Sequence, residues 1–488
     1  MADLLTRMES IYGRVYPRLP VALQNAALGT IGWHNDLTVR GRGFTRLLGE
    51  YEARTFADPG AVRELRDARL RAFLLHAYET VPYYHELFDQ AGLHPREIST
   101  LEDLASLPIT SKADVQERRS EFLSSAVPRR RWKLVSTSGS TGSGLIVATT
   151  LEAVQEQWAT WWRCWRWHGI DRKTWVAILG TTHVVPARQQ APPFWRYDIA
   201  GRQIVFSCAH TSPENLKYYL SELRRRKPLR LHGYPSMISL IASYLIETKT
   251  DLGYDVRWIT TSAENLLPQQ TRLIEKAFGV RPKQHYGMVE AIANISECEK
   301  GKLHVDEELA AVEFVPITNT LYRVVGTNLS NPVMPLVRYE CNDQVTIEPG
   351  ELCSCGRPGR VVTDIDGRKE DYVVLMNGVL LGSLDRIFVN LPNVREAQIR
   401  QDAVGEIQFL VRRGVLYTKE DEIQLRAEIE RTIYDGSQIS IEYVDEIERT
   451  ARGKLRFVVS SVPAEDVVGY KVLPPPSLSA LGNGDNDL

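Results

Sequence analysis

Six cysteines among 488 residues are too few for a disulfide scaffold, so any that cluster are read as metal ligands or as chemistry. Charge of one sign is also lacking. Lys plus Arg number 59 against 61 for Asp plus Glu, a formal net charge of −2. That balance gives no support to a dedicated nucleic-acid binder, which carries a basic excess. No uninterrupted apolar run approaches the ~20 residues that span a bilayer. The best, Val21 to Trp33, is broken by Gln24 and Asn25. Asp3, Arg7 and Glu9 stand where a signal peptide keeps its apolar stretch, and the expected location is therefore the cytoplasm, with no membrane span and as a monomer or homodimer.

What is present fits a multidomain globular chain: 43 % of residues are hydrophobic and 25 % charged. Val62 to Tyr84 carries Leu70, Phe73, Leu74 and Ala77 at helical spacing and reads as a surface helix on a core. Strand candidates at Lys133 to Val135, Trp175 to Leu179, Gln203 to Phe206, Leu229 to His232 and Trp258 to Thr261 alternate with helical stretches. Such alternation predicts an α/β layered domain with mostly parallel strands. Past Asp366 the texture changes. Asn377-Gly378 between two short apolar runs predicts a tight type I′ hairpin, followed by a strand (Glu406 to Arg412), a helix (Lys419 to Tyr434) and a strand (Gln438 to Val444). The expected organisation is a large α/β N-terminal domain over residues 1–366, a small mobile α+β C-terminal domain over 367–473, and a disordered tail over 474–488.

Between a predicted strand and a predicted helix lies Ser136 to Gly144, STSGSTGSG. Small residues let a backbone approach an anion closely, and the hydroxyls of Ser138, Ser140 and Thr141, set among Gly139 and Gly142, can donate to phosphate oxygens. The Walker pattern is absent, since no Lys follows Gly142. A plain Gly/Ser linker is the competing reading.

At this loop the sequence resembles the adenylate-forming enzymes, in particular their phenylacetate-CoA ligase-like branch. The likeness extends through Gly233-Tyr234-Pro235-Ser236, Thr261-Ser262-Ala263-Glu264, Tyr286-Gly287-Met288-Val289-Glu290, Met334 to Tyr339 ending in Asp343, Gly367-Arg368, and Arg452-Gly453-Lys454. These motifs stand in family order from about Tyr83 to Val459. Where typical members carry Lys after the Thr-Gly pair, this chain has Ser143.

The resemblance implies ATP, Mg²⁺ and an acid as reactants, with coenzyme A as the leading acyl acceptor. Tyr286 offers a face to adenine and Gly287 a close backbone approach. Glu290 suits Mg²⁺ as a hard oxygen ligand, Asp343 the ribose hydroxyls, and Arg368 a charge-assisted contact to the nucleotide. Lys454 would bridge the acid and the α-phosphate as negative charge builds. Glu370 is the implied hinge. His183, Tyr234 and Glu264 sit near strand ends, where ligands bind open α/β sheets, Glu264 on the nucleotide side. The expected reaction is activation of a carboxylic acid to an acyl-adenylate with loss of pyrophosphate, then transfer to coenzyme A. Two alternatives are an amine or hydroxyl acceptor, giving an amide or ester, and a nucleotide-binding sensor that has lost catalysis.

Cys353-Ser354-Cys355 together with Cys298 and His304 supplies four ligands, enough for a closed tetrahedral zinc site. Cys341 is a substitute, while Cys164 and Cys208 look like core residues. Five tryptophans fall between Trp158 and Trp167. Trp158, Trp161, Trp162 and Trp165 fit one helical face and predict a packed helix, with an aromatic wall for a ligand as the second reading.

Overall fold

The computed structural model describes residues 15–462 except 137–144, 182–183, 187, 212, 264–265, 267, 318, 349, 351–352, 366–372, 379, 382–383, 389–390, 392, 415–416, 434 and 449–456. Helices α1 (Val21–Leu37), α2 (Arg42–Ala53), α3 (Pro59–Thr80) and α4 (Pro82–Ala91) open the chain. The expected single helix from Val62 to Tyr84 is thus two helices. Val81 is extended (φ −119°, ψ 112°), as a residue before proline must be, and Pro82 restarts the helix at its first turn.

α1 is polar on its inner side. Gln24 is buried and donates from Nε2 to the carbonyls of Tyr16 (3.1 Å) and Leu19 (3.0 Å), and it accepts from Arg196 Nε. Asn25 Oδ1 accepts from the Tyr197 amide at 3.0 Å. Leu23, Trp33 and Leu37 face solvent. The two residues that break the apolar run are therefore the ones that dock the helix.

Strands β1 (Lys133–Ser136) and β2 (Ile146–Thr149) pair antiparallel, with Ser136 opposite Ile146. A second strand, β2, therefore comes between Ser136 and the helix expected to follow the Gly/Ser/Thr segment. α5 (Leu151–Trp167) follows β2, capped by Thr150, whose Oγ1 accepts from the Ala153 amide at 3.1 Å.

Among the described residues the central sheet has nine strands. It contains β3 (Val176–Thr181), β4 (Trp195–Asp198), β5 (Gln203–Ser207), β6 (Arg230–Gly233), β7 (Trp258–Thr261), β8 (Lys283–Gly287), β9 (Asn294–Glu297), β10 (Leu303–Val305) and β14 (Val361–Val362), in the order β14-β10-β9-β8-β7-β6-β3-β5-β4. The five strands β5, β3, β6, β7 and β8 run parallel. Connecting helices α6 (Pro213–Arg226), α7 (Pro235–Glu247) and α8 (Pro268–Phe278) contribute Leu220, Ile238, Ile241 and Ile274 to one core with Leu231 and Ile259. The alternation of strand and helix in the sequence is this parallel block.

A second, antiparallel sheet orders β11 (Ala310–Pro316), β12 (Leu321–Asn328), β13 (Tyr339–Thr346) and β15 (Asp364–Ile365). A third core is formed by the C-terminal elements. There β16 (Val373–Val374) pairs with β17 (Leu380–Leu381), and β20 (Gln438–Tyr443), β19 (Glu406–Arg413), β18 (Val394–Ala403) and β21 (Val458–Ser460) make a mixed four-stranded sheet on α9 (Lys419–Thr432). This α+β unit matches the expectation. Its first hairpin does not: Val374 pairs with Leu380, so five residues connect the strands, and the Gly378 amide closes a turn on the Leu375 carbonyl at 2.8 Å. Gly378 takes a positive φ of 80° in that longer loop.

Candidate functional site

Strands β6 and β7 end level, Gly233 opposite Thr261, and β8 runs on along the same direction past Gln284, opposite Thr261, to Gly287. The carboxyl ends of parallel strands are where open α/β sheets bind ligands. Three of the sequence motifs arrive there. A side chain on Gly233 is impossible, because its Cβ would stand 2.0 Å from the Leu179 carbonyl oxygen. That contact lets the Tyr234 amide donate to the same oxygen at 2.8 Å and directs Tyr234 into the start of α7. Tyr234 is buried.

Tyr286 and Gly287 close β8. The Tyr286 phenol donates to Asp343 Oδ2 at 2.7 Å, joining two motifs from different sheets. Burial, then the neighbouring carboxylate, holds the phenol well above its usual range, so it remains a donor. Glu290 is nearly buried, and its carbonyl accepts from Asn328 at 3.1 Å.

Strained backbone marks the same motifs. Ala263 (φ 68°), Ala291 (φ 53°) and Arg338 (φ 49°) adopt left-handed conformations. They adjoin, respectively, the position of Glu264, Glu290 and the strand that leads to Asp343. For residues with a Cβ such angles cost on the order of 1–3 kcal/mol and cluster at functional sites. Arg338 is held there by its Glu313 fork (2.8 to 3.1 Å) and by the Leu107 carbonyl. It is a scaffold residue inside a ligand motif.

Sequence reasoning missed the wall around Gly287. A Cβ there would meet Asn294 Oδ1 at 2.7 Å, His285 Cε1 at 3.2 Å and Trp161 Nε1 at 3.2 Å. Asn294 Oδ1 accepts from Trp161 Nε1 (2.9 Å) and His285 Nε2 (2.9 Å). Its amide donates to Asp306, which also pairs with Arg163 at 2.6 Å. Burial pushes the His285 imidazole down to about 4, against the pull of Asp306, and that of His232 down to about 3. Both rings are neutral near pH 7. The packed-helix reading is seen for Trp162 and Trp165, which pack with Phe44, Leu48 and Ile170, while Trp161 lies against Gly287 and bonds to Asn294.

The four metal candidates converge. The ligand atoms of Cys298, His304, Cys353 and Cys355 all lie within 4.8 Å of one another. Cys298 Sγ is 3.7 Å from Cys353 Sγ, and Cys355 Sγ is 3.4 Å from His304 Nε2. Tetrahedral zinc with ordinary bond lengths would set these spacings at about 3.8 and about 3.5 Å, so the donor set fits the ion. Cys341 is elsewhere, 3.7 Å from the Tyr286 hydroxyl. Cys164 and Cys208 are buried in cores, with burial pushing the Cys164 thiol up to about 12. Ser138, Gly139, Ser140, Thr141, Gly142, His183, Glu264, Arg368, Glu370 and Lys454 lie outside the described residues. Among the described residues no helix is long and apolar enough to cross a membrane.

A family model for the CapK C-terminal domain matches residues 376–461. Over 407 residues the chain is 25 % identical to the protein CapK of Staphylococcus aureus, covering 82 % of this chain and 89 % of that one. It is 24 % identical over 399 residues to a phenylacetate-coenzyme A ligase of Pseudomonas putida, covering 76 % and 84 %. Among solved structures, a 2-hydroxyisobutyryl-CoA ligase with 2-HIB-AMP and CoA bound superposes with a TM-score of 0.55 at 18 % identity, over 83 % of this chain and 91 % of that chain. That superposition speaks to the fold alone. Similarity runs through most of the length of both named relatives, and with the ordered motifs meeting at one sheet edge the chain is similar in sequence and fold to the adenylate-forming, phenylacetate-CoA ligase-like enzymes.

Proposed function

We propose that this protein is an AMP-forming acid ligase: it joins a carboxylic acid to ATP as an acyl-adenylate and passes the acyl group to coenzyme A. The bond between Tyr286 and Asp343 carries this reading, because it assembles an aromatic face and an oriented carboxylate at the carboxyl edge of the sheet. In the first step the acid's carboxylate oxygen attacks the α-phosphorus and the bond to pyrophosphate breaks. Glu290 would hold Mg²⁺, which neutralises the phosphates. The Ser138 to Gly142 loop would cradle them, Arg368 and Glu264 would meet the nucleotide, and Lys454 would stabilise the charge that develops. In the second step the thiolate of coenzyme A attacks the acyl carbonyl and AMP leaves.

His183 and Tyr234 are proposed to line the acid pocket. Residues 1–366 and 367–473 are proposed as the two domains, with Glu370 as their pivot and 474–488 as a tail. Cys298, His304, Cys353 and Cys355 are proposed to hold a structural zinc ion, which would pin the Cys353-Cys355 loop to the turn between β9 and β10.

The test is pyrophosphate release from ATP over a panel of aryl, fatty, hydroxy and amino acids, with hydroxylamine trapping and thioester detection. Acid-dependent release with a thioester product is expected. Release without a thioester in the presence of coenzyme A would move the acceptor to an amine or hydroxyl, and no release with any acid would sink the ligase reading.

A further inference from the structure

A second concave site opens at the opposite, amino-terminal end of the parallel strands. It is a cavity of about 310 Å³ lined by Trp167 at the end of α5, Ile170 beyond it, Trp258 and Ile259 of β7, and Val280 and Arg281 before β8. Its size falls at the lower end of the range for small-molecule pockets, and its lining combines apolar walls with several charged side chains.

The charges at this cavity are not balanced. Lys283 is paired with Glu297 at 2.9 Å and Glu299 with Arg357. His168 donates from Nε2 to the Glu297 carbonyl at 2.8 Å, and burial lowers its affinity for a proton, so it adds no charge near neutral pH. Arg257 and Arg281 remain. Neither has a carboxylate partner among the described residues. The Arg257 guanidinium lies 4.6 Å from the centroid of the Trp258 ring, and that indole is itself fixed by its bond to the His168 carbonyl at 2.8 Å. A guanidinium placed over an aromatic ring still has N–H groups available for an anion.

Apolar walls with two indoles select a flat apolar body, and two arginines without carboxylate partners select a negative head. We propose that this cavity binds a small aryl carboxylate, at a site separate from the catalytic edge and independent of the ligase reading. A single-ring acid is well within the available volume, with its ring between the indoles and its carboxylate toward Arg257 and Arg281. The same strands β7 and β8 that floor the cavity end at Thr261 and Gly287, so occupancy abuts the scaffold of the catalytic edge.

The experiment uses the full chain and phenylacetate as probe, with the catalytic edge occupied by a non-reactive acyl-sulfamoyl adenosine. Titration by calorimetry and indole fluorescence is expected to show one phenylacetate bound per chain. The Arg257→Ser/Arg281→Ser variant should bind at least about 10-fold more weakly, phenylacetamide should bind the native chain comparably weakly, and pyrophosphate release by the double variant should stay within about 2-fold of native. Filling the cavity with Val280→Trp should abolish binding. The proposal is overturned if phenylacetate does not bind beside the adenosine analogue, if the double variant binds as well as the native chain, or if the neutral amide binds equally. Should the analogue itself fail to bind, the ligase reading is what suffers, and the double variant titrated alone still decides the cavity.

Discussion

Tyr286 donates its phenolic hydrogen to Asp343 across 2.7 Å, and this one bond locks an aromatic plane to a carboxylate 57 residues away. Hydrogen bonds to charged groups contribute about 1.5–3 kcal/mol. Tyr286→Phe keeps the ring and loses the bond. The expected result is a rise of roughly 10-fold in KM for ATP with KM for the acid unchanged, measured by pyrophosphate release. An equal rise in both constants would show that the bond shapes the whole edge and not the nucleotide side.

Lys454 is tested by separating the half-reactions. Lys454→Ala should lower acyl-adenylate formation by on the order of 10²–10³-fold, as loss of a charge aimed at a developing anion does. Thioester formation from a supplied acyl-adenylate should hold within about 3-fold. Matched losses in both steps would remove the assignment of Lys454 to the first.

Zinc content is a direct measurement. The native chain should carry about one zinc ion, and Cys298→Ser or Cys353→Ser should lower that to a small fraction and reduce the melting temperature. Native protein that holds no zinc after purification without chelators would dismiss the site.

Arg163 is buried with Asp306 and Glu308, each at 2.6 Å. Removing one member of a buried ionic cluster leaves charge without a counter-ion, at a cost of about 3–5 kcal/mol. Arg163→Met should therefore lower the urea midpoint sharply, while Arg46→Met, at an exposed pair with Glu50, should leave it nearly unchanged.

His232 and His285 give stability a pH dependence. Their folded affinities for protons are depressed to about 3 and about 4 by burial, below the unfolded value near 6.5. The unfolded chain binds more protons below that value, so stability is full above it and falls as pH drops toward 4. His285→Gln should flatten the slope of denaturation midpoint against pH between about 6.5 and 4. An unchanged slope would mean that other groups govern acid unfolding.

Motif order in the sequence is enough to single out Tyr286, Gly287, Glu290 and Asp343, and the structure joins Tyr286 to Asp343 by a hydrogen bond. The cysteine and histidine cluster was legible from residue type. What escaped was set by distant partners. Gln24 and Asn25 look like interruptions until Arg196 and Tyr197, respectively, stand beside them. Asn294 has no local signature, and only the meeting of α5, β8 and β9 makes it the acceptor for both Trp161 and His285. The left-handed Ala263 and Ala291 follow from tertiary constraint, since alanine has no preference for that conformation. Helical spacing alone carries the pattern through Pro82, whereas the local effect of proline on Val81 breaks the helix there.

The line of bonds from Trp161 and His285 through Asn294 and Asp306 to Arg163 bears on any attempt to redirect this protein to new acids. Each member has a fixed sense, donor facing acceptor, so a substitution that reverses one sense must be answered further along the line. Libraries that randomise Trp161 or His285 singly will therefore yield mostly unstable clones. Those that vary them together with Asn294, keeping Asp306 and Arg163, open far more usable sequence space.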